Sequence, residues 1–248
     1  MGSAAIPDLH DHADGAHGHM QAHPPTSTGL NHRKVAVWAF IGSECMLFVS
    51  LISTYLIYKG KSITGPYPHE WWCRATNVIG NTQEALGACA AGETFKPILN
   101  IPVTSASTFV LLMSSLAMVL ALAAVENKEL PMPTAFGDRI LRSSKLWLWV
   151  TAILGTTFLG FQAYEFTSFV HEGLSIRTNL FGSSFFTLTG FHGAHVTVGV
   201  LWLLALLGID YKRGLKPADA LNVDIAALYW HFVDVVWIAI FTLLYLIK

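Results

Sequence analysis

The chain has 248 residues, of which 53% are hydrophobic and only 12% are charged, and its formal net charge is −1. A soluble domain normally carries about 25% charged residues, so this composition is too poor in charge to cover a water-facing surface. The lack of a basic surplus excludes nucleic acid as an expected partner, since phosphates must be neutralised. The apolar residues occur in long blocks, which is typical of an integral membrane protein.

Residues 1–34 form a polar segment rich in histidine, aspartate, glycine and proline. Nothing in this segment could pack a core, so we predict a disordered cytoplasmic tail. Its clustered histidines are His10, His12, His17, His19 and His23. Metal capture by these imidazoles is the alternative, although their spacing is irregular and no second ligand cluster accompanies them.

Five apolar runs follow, each long enough to cross a hydrocarbon core of about 30 Å, for which roughly 20 residues suffice. They cover approximately residues 35–58, 103–125, 146–170, 181–209 and 224–247. The predicted fold class is therefore all-α: an integral membrane bundle of five transmembrane helices over residues 35–248. Three connections are short, which predicts antiparallel packing of neighbouring helices, whereas residues 59–102 contain a long loop.

The distribution of positive charge predicts the orientation of this bundle. If the N-terminus lies in the cytoplasm, nine of the fifteen Lys and Arg residues fall inside and six fall outside, where the loop is longer. The positive-inside rule therefore predicts a cytoplasmic N-terminus, an outer loop at residues 59–102 and a C-terminus on the outside.

The three cysteines bear on the same question. Cys45 lies within the first helix, where inert packing is its expected role, whereas Cys73 and Cys89 both fall in the long loop. Disulfides form in oxidising compartments, so a Cys73–Cys89 bridge is expected if that loop lies outside, in agreement with the charge distribution. Two free surface thiols are the alternative.

Six ionisable side chains that matter for function fall inside the predicted helices: Glu44, Glu165, His192, His195, His231 and Asp234. Such a group at mid-membrane costs at least ~2.5–3.5 kcal/mol on insertion scales, so it normally faces protein or water and has a function. At about 1.5 Å per residue, all except Glu165 fall in one layer in the inner half of the bundle, and Glu165 lies near the outer end of the third helix. His192 and His195 share a helix face, as do His231 and Asp234.

Four interpretations of this layer remain open. The first is a buried polar network that fixes helix packing, with Thr189, Tyr229 or Trp230 as further partners. The second is a proton-handling site in which Glu44 acts as relay or buffer. The third is a metal or haem site, since two histidines and a carboxylate resemble a metal triad, although the neighbouring glycines favour close helix contact instead. The fourth is a site for lipid headgroups.

Four segments of the chain carry recognisable motifs. Residues 38–44 (WAFIGSE) hold the glutamate of the first helix, and residues 162–166 (QAYEF) form a Q-x-x-E-aromatic stretch. Residues 189–199 (TGFHGAHVTVG) and 229–237 (YWHFVDVVW) contain two longer and more specific patterns. Together and in this order, the four segments resemble the haem–copper oxidase subunit III family. The resemblance covers the helical part of the chain and is weak in the long loop.

The resemblance implies a haem-free and copper-free accessory subunit, of the five-helix bacterial form of cytochrome c oxidase subunit 3, in a bacterial plasma membrane. Oxidase subunits I and II, which hold the haems and copper, would be its partners, and phospholipid would be its bound molecule. By this likeness Glu44 is the proton-linked carboxylate that supports proton uptake into subunit I. The other five ionisable residues are expected to serve packing and a lipid cleft. The chain alone would be non-catalytic.

Two departures from the longer, seven-helix form of the family matter. The chain lacks that form's first two helices, so the lipid cleft that they complete must be open or closed by another subunit. The loop at residues 59–102 also falls outside the family pattern, and we expect it to be a docking surface for another respiratory complex.

The sequence therefore predicts a subunit of a complex that passes electrons to O₂ and pumps protons. The Ser43–Glu44 pair, rather than a Ser-Asp pair, favours cytochrome c as the electron donor, and a quinol oxidase is the alternative. A proton-coupled transporter is the alternative from another class, but the repeated halves and broken helices usual in transporters are not evident. A histidine-rich metal-handling membrane protein is the third hypothesis.

Overall fold

The computed structural model describes residues 32–62, 65–73, 79–80, 94–129 and 140–247. The histidine-rich tail predicted at residues 1–34 lies outside the described residues except for its last three, which are helical. Cys89 also lies outside them.

Five long helices make up most of the described chain: α1 (His32–Tyr58), α2 (Ile101–Glu126), α3 (Ser144–His171), α4 (Leu180–Arg213) and α5 (Ala220–Phe241). A π-helical turn at Thr242–Leu246 extends α5. All five helices are long and apolar enough to cross a membrane, which confirms the predicted all-helical class and the five predicted spans. The α4 helix continues past its apolar run into charged residues, because helical backbone hydrogen bonds do not depend on the polarity of the side chains.

Polar side chains and a glycine mark the ends of two of these helices. The Ser143 hydroxyl accepts a hydrogen bond from Leu146 N (3.4 Å) at the start of α3, and Asn179 Oδ1 accepts one from Gly182 N (2.7 Å) at the start of α4. Both are N-caps, which satisfy backbone N–H groups that lack a partner in the first helical turn. The α4 helix ends at Gly214, whose φ of +70° lies in the left-handed region that favours glycine.

The helices pack in an arrangement that leaves α1 at one edge. The α2 and α3 helices lie against each other, α3 contacts α4, and α5 contacts both α2 and α4. The α1 helix packs on α4 and α5, and its buried residues are Phe48 and Tyr55. Most of the α1 surface is therefore exposed, although α1 carries the intramembrane glutamate.

A tryptophan on α5 sits where four helices meet. Trp230 is buried, and its Nε1 donates a hydrogen bond to Ser114 Oγ on α2 (3.0 Å). A Cβ atom at Gly155 on α3 would lie 2.5 Å from this indole, and one at Gly199 on α4 would lie 2.8 Å from it. The two glycines therefore provide the space that the ring occupies, in keeping with the use of small residues at close helix contacts in membranes.

A buried aspartate joins three chain segments at one end of the bundle. Asp210 near the end of α4 is 1% exposed. Its Oδ2 accepts from Ser144 Oγ at the start of α3 (2.9 Å), and its Oδ1 accepts from Leu215 N (2.8 Å). Lys128 Nζ, which follows α2, lies 3.6 Å from Asp210 Oδ1 and donates to Leu215 O (2.7 Å). The carboxylate is thus hydrogen-bonded and paired, as a buried charge requires.

The loop between α1 and α2 contains a small antiparallel sheet that was not predicted from the sequence. Its strands are β1 (Trp71–Cys73), β2 (Ile79–Gly80) and β3 (Thr94–Phe95), with β1 in the middle. The register pairs Trp72 with Ile79 on one side and with Phe95 on the other. Part of the predicted loop is therefore a structured cap over one end of the bundle.

The cysteines differ in their environments. Cys73 is buried and disulfide-bonded. Because Cys89 lies outside the described residues, the Cys73–Cys89 pairing stays a prediction. Cys45 is free and exposed, so the expected packing role is wrong: its helix lies at the bundle edge and turns this residue outward.

Candidate functional site

Glu44 and His195 contact each other between α1 and α4. Glu44 is the thirteenth of the 27 residues of α1, so it lies near the middle of that span. Its Oε2 is 3.1 Å from His195 Nε2, and the side chains of Glu44 and His195 are 18% and 16% exposed, respectively. The pair is therefore largely buried in the membrane-spanning part of the bundle, with a small opening to its surface.

The hydrogen bonds of His195 require a proton between the two side chains. His195 Nδ1 lies 2.7 Å from Phe191 O, and because a carbonyl oxygen only accepts, Nδ1 carries a hydrogen. The contact between Nε2 and Glu44 then needs one further proton, either on the imidazole or on the carboxyl group. Without it, a lone pair on Nε2 would face a carboxylate. With one proton between the two side chains, the contact is a satisfied hydrogen bond.

Aromatic side chains surround this pair. Phe40 and Phe48 lie four residues before and after Glu44, on the same face of α1. The Phe48 ring packs edge-on against the His195 imidazole, with ring centroids 5.1 Å apart. Tyr229 on α5 donates its O–H to His195 O (3.0 Å) and stacks on Phe40 at 6.4 Å. These rings cover part of the pair and lower the local dielectric, which strengthens a polar contact.

His231 and Asp234 belong to a separate cluster between α5 and α2. His231 Nδ1 lies 2.7 Å from Ser115 Oγ, and Asp234 follows three residues later on the same face of α5. Asp234 Oδ1 has no further partner within the described ranges. The two α5 residues therefore share a face as predicted, and one of them, His231, contacts a serine of α2.

His192 lies in the centre of the bundle, away from the Glu44–His195 pair. It is 0% exposed, and its Nε2 donates to Val233 O (3.2 Å). Its ring packs against Trp237 at 4.8 Å and Phe158 at 5.7 Å. Since Nε2 carries the hydrogen, Nδ1 is an acceptor, and it has no partner in the part of the chain that the structure describes. This environment suits a neutral imidazole that fills space between helices.

Glu165 lies apart from the other ionisable residues, toward the end of α3. It is buried, and its Oε1 accepts a hydrogen bond from Thr104 Oγ1 at the start of α2 (2.7 Å). It lines an open cavity of about 360 Å³ together with Lys96 and Glu172. The partner of Glu165 is therefore a hydroxyl group, whereas the partner of Glu44 is an imidazole.

The predicted layer thus separates into two polar contacts and one packed imidazole. Glu44 contacts His195, His231 contacts Ser115 on α2, and His192 packs apart from both. The three expected partners bond elsewhere: Thr189 to Phe185 O, Tyr229 to His195 O and Trp230 to Ser114. Among the described residues, no group of three or more His, Cys, Asp or Glu side chains is placed to hold a metal ion.

Sequence reasoning missed the hydroxyl groups of α2, which partner several of these residues. They recur along the helix as Thr104, Ser107, Thr108, Ser114 and Ser115. Thr108 accepts from Trp237 Nε1 (3.0 Å), in the same manner as Ser114 accepts from Trp230. The signal was present in the sequence, since small hydroxyl residues at helical spacing in a membrane span indicate a face that packs against another helix.

Comparison with known proteins identifies the family. The sequence profile described as "Cytochrome c oxidase subunit III" matches residues 79–248, which include α2 to α5 but not Glu44. This chain belongs to the cytochrome c oxidase subunit III family. It is 37% identical over 209 residues to cytochrome c oxidase subunit 3 from Bacillus sp. (strain PS3), with 84% of this chain and 83% of that protein covered.

Relatives in the subunit III family carry two kinds of name. Quinol oxidase subunit 3 from Bacillus spizizenii is 32% identical over 209 residues, covering 84% of each chain. Cytochrome bo(3) ubiquinol oxidase subunit 3 from Pseudomonas aeruginosa is 32% identical over 240 residues, covering 96% of each chain. The chain is therefore subunit III of a haem–copper terminal oxidase and a multi-pass membrane protein, and its partners include other oxidase subunits. The predicted family is confirmed.

Proposed function

We propose that this subunit serves a proton-pumping oxidase that takes electrons from cytochrome c in the plasma membrane of a bacterium. Its relatives bear both cytochrome c oxidase and quinol oxidase names, so family membership alone does not select the donor. The Ser43–Glu44 pair supports cytochrome c. In this proposal subunits I and II hold the haems and copper, and the present chain holds no redox centre. A quinol oxidase is the second candidate.

The donor can be tested on the complex purified gently through a tag on this chain. We expect a haem spectrum that shifts with carbon monoxide after reduction, and O₂ consumption driven by reduced cytochrome c. Turnover with a quinol but not with cytochrome c contradicts the proposed donor. A complex that keeps its protein partners but contains no haem contradicts the association with an O₂-reducing subunit.

Within this complex, the Glu44–His195 pair is proposed to keep a proton in reserve for uptake into subunit I. The observation that carries the proposal is the 3.1 Å contact between Glu44 Oε2 and His195 Nε2, beside a His195 Nδ1 that lies 2.7 Å from Phe191 O. The pair lies in the middle of α1, at the edge of the bundle where a neighbouring subunit has access. Its partial exposure allows the proton to leave and return without rearrangement of the helices.

A Glu44→Gln substitution separates this role from packing. The glutamine amide can still donate a hydrogen bond to His195 Nε2, but it carries no transferable proton. We expect the variant oxidase in proteoliposomes to pump fewer protons per electron and to lose activity sooner during sustained turnover. Glu165→Gln is the matched control, since that carboxylate contacts Thr104 rather than a base. Unchanged pumping and unchanged turnover lifetime in Glu44→Gln would reduce Glu44 to a packing role.

We further infer that the subunit stabilises the complex, that it binds phospholipid, and that residues 59–102 face outward and dock another respiratory complex. A structured sheet in this loop gives such a surface a defined shape. Deleting residues 64–91 is expected to leave the oxidase active and to abolish its co-purification with the neighbouring complex. Unaffected assembly after the deletion contradicts the docking role.

A further inference from the structure

Two buried hydrogen-bond acceptors lie where α3 packs on α4. They are His192 Nδ1 and Gln162 Oε1, and neither has a hydrogen-bond partner within the part of the chain that the structure describes. The two residues are 0% and 7% exposed, respectively. Leaving a buried acceptor unpaired is costly, so native proteins satisfy nearly all such atoms, either with protein groups or with bound water.

The other contacts of the two side chains show that both atoms accept. His192 Nε2 lies 3.2 Å from Val233 O, and because a carbonyl oxygen only accepts, Nε2 carries the hydrogen and Nδ1 has a lone pair. Gln162 Nε2 donates to Thr189 O (2.6 Å), which fixes the orientation of the amide and leaves Oε1 as its acceptor. Two acceptors cannot satisfy each other, so the missing partner has to be a donor.

The packing of α3 on α4 brings the two acceptors to the same place. The Gln162 amide lies against the turn of α4 that carries Thr189 and Gly193, and a Cβ atom at Gly193 would lie 2.7 Å from Gln162 Oε1. His192 directly precedes this glycine. Phe158, one turn before Gln162 on α3, packs on the His192 ring with centroids 5.7 Å apart. One face of α3 therefore contacts both the imidazole and the glycine beside it.

The neighbouring protein donors are already bonded elsewhere. Trp237 packs on the His192 ring at 4.8 Å, but its Nε1 donates to Thr108 Oγ1 (3.0 Å). The Thr189 hydroxyl donates to Phe185 O (2.6 Å). The donor must then come from a small bound molecule with two hydrogens. Water has two hydrogens on a single heavy atom, and buried water typically makes two to four hydrogen bonds to polar groups of this kind.

We propose that one water molecule binds between α3 and α4 and donates one hydrogen bond to His192 Nδ1 and one to Gln162 Oε1. It would keep the imidazole neutral, with its hydrogen on Nε2 and directed at Val233 O of α5. The water would thus connect three helices inside the membrane-spanning part of the bundle. Gly193 belongs to the site, because a side chain there would displace the Gln162 amide. The proposal is independent of the electron donor and of Glu44.

The first test is a density map of the intact oxidase complex at a resolution that shows ordered water. We expect one isolated peak at a hydrogen-bond distance, about 2.7–3.2 Å, from both His192 Nδ1 and Gln162 Oε1. A map that shows ordered water elsewhere in the complex but no peak here overturns the proposal. A direct hydrogen bond between the two side chains overturns it as well.

The second test uses solid-state NMR of the complex labelled with ¹⁵N-histidine. The His192 signals are assigned by their loss in His192→Phe, and we expect a cross-peak between water protons and His192 Nδ1. Gly193→Ala is expected to remove this cross-peak, because the added methyl group moves the Gln162 amide. Gly190→Ala is the matched control on the same helix, since no atom lies within 4 Å of its added Cβ.

Gln162→Leu removes the second acceptor directly and is expected to weaken or abolish the same cross-peak. A cross-peak that keeps its wild-type intensity in both Gly193→Ala and Gln162→Leu overturns the assignment of Gln162 as the second partner. If a variant fails to assemble, as the haem content of the purified complex reveals, the wild-type map and the wild-type spectrum decide.

Discussion

The Glu44 and His195 side chains are 151 residues apart in the sequence and meet at 3.1 Å between two membrane-spanning helices. The contact connects α1, the helix at the edge of the bundle, to α4. Together with the buried side chains of Phe48 and Tyr55, this contact holds α1 against the bundle. The contact therefore attaches α1 to the rest of the bundle.

The attachment can be measured by a double-mutant cycle. We expect Glu44→Ala and His195→Ala each to lower the free energy of unfolding. The double variant should lose less than the sum of the two single losses, because each substitution alone already breaks the contact. The coupling expected for a polar pair in a membrane bundle is about 0.6–1.7 kcal/mol. Denaturant titration in mixed micelles gives the four free energies, and a coupling near zero would show that the pair does not hold α1.

The space for Trp230 gives a prediction with a control on the same helix. Gly155→Ala places a methyl group against the buried indole, and overpacking of this kind costs about 1–3 kcal/mol. Gly160→Ala adds a methyl group where no atom lies within 4 Å, so it should be neutral. The melting temperature of the purified complex tests both. Equal melting temperatures would mean that Trp230 can move aside.

Of two aspartates at the same end of the bundle, Asp210 and Asp219, we expect substitution of Asp210 to lower the free energy of unfolding more. Asp210→Ala leaves Ser144 Oγ and Leu215 N without their acceptor, which costs about 1–3 kcal/mol. Asp219→Ala breaks two exposed contacts, the ion pair with Arg213 (2.9 Å) and the hydrogen bond from Lys216 N (3.2 Å), and it is expected to cost less than Asp210→Ala because water can replace exposed partners. Denaturant titration compares the two variants. A larger loss for Asp219→Ala would contradict this assignment.

The predicted Cys73–Cys89 bridge can be tested together with the orientation of the loop. After reduction of intact spheroplasts, a membrane-impermeant maleimide is expected to label Cys73 and Cys89. Without reduction, neither cysteine should react, because both thiols are in the predicted bridge. Cys89→Ser should free Cys73 and lower stability by about 3 kcal/mol on the chain-entropy model for a loop of roughly 15 residues. Cys45→Ser is the control, since Cys45 is already free. Labelling only after the membrane is broken would reverse the predicted orientation.

The sequence alone was sufficient to predict the five helices and the family. Long apolar runs must form helices in lipid, because every backbone polar group needs a partner there. The predicted ends of the five spans therefore lie, in most cases, within a few residues of the observed helix ends. The motifs around His192, His195, His231 and Asp234 sufficed for the family, because their spacing is local. The sheet in the loop was not predicted, since its strands have only two or three residues each.

Only the tertiary structure decided which polar groups meet. His192 and His195 are three residues apart, yet one is enclosed by Phe158 and Trp237 while the other contacts Glu44. Helical spacing specifies that two side chains share a face, but it does not specify which neighbouring helix each will meet. That choice depends on how the helices pack, and here glycines, hydroxyl residues and one tryptophan set the packing. The sequence determined the elements and the chemistry available, and the packing decided that Glu44 and His195 would meet.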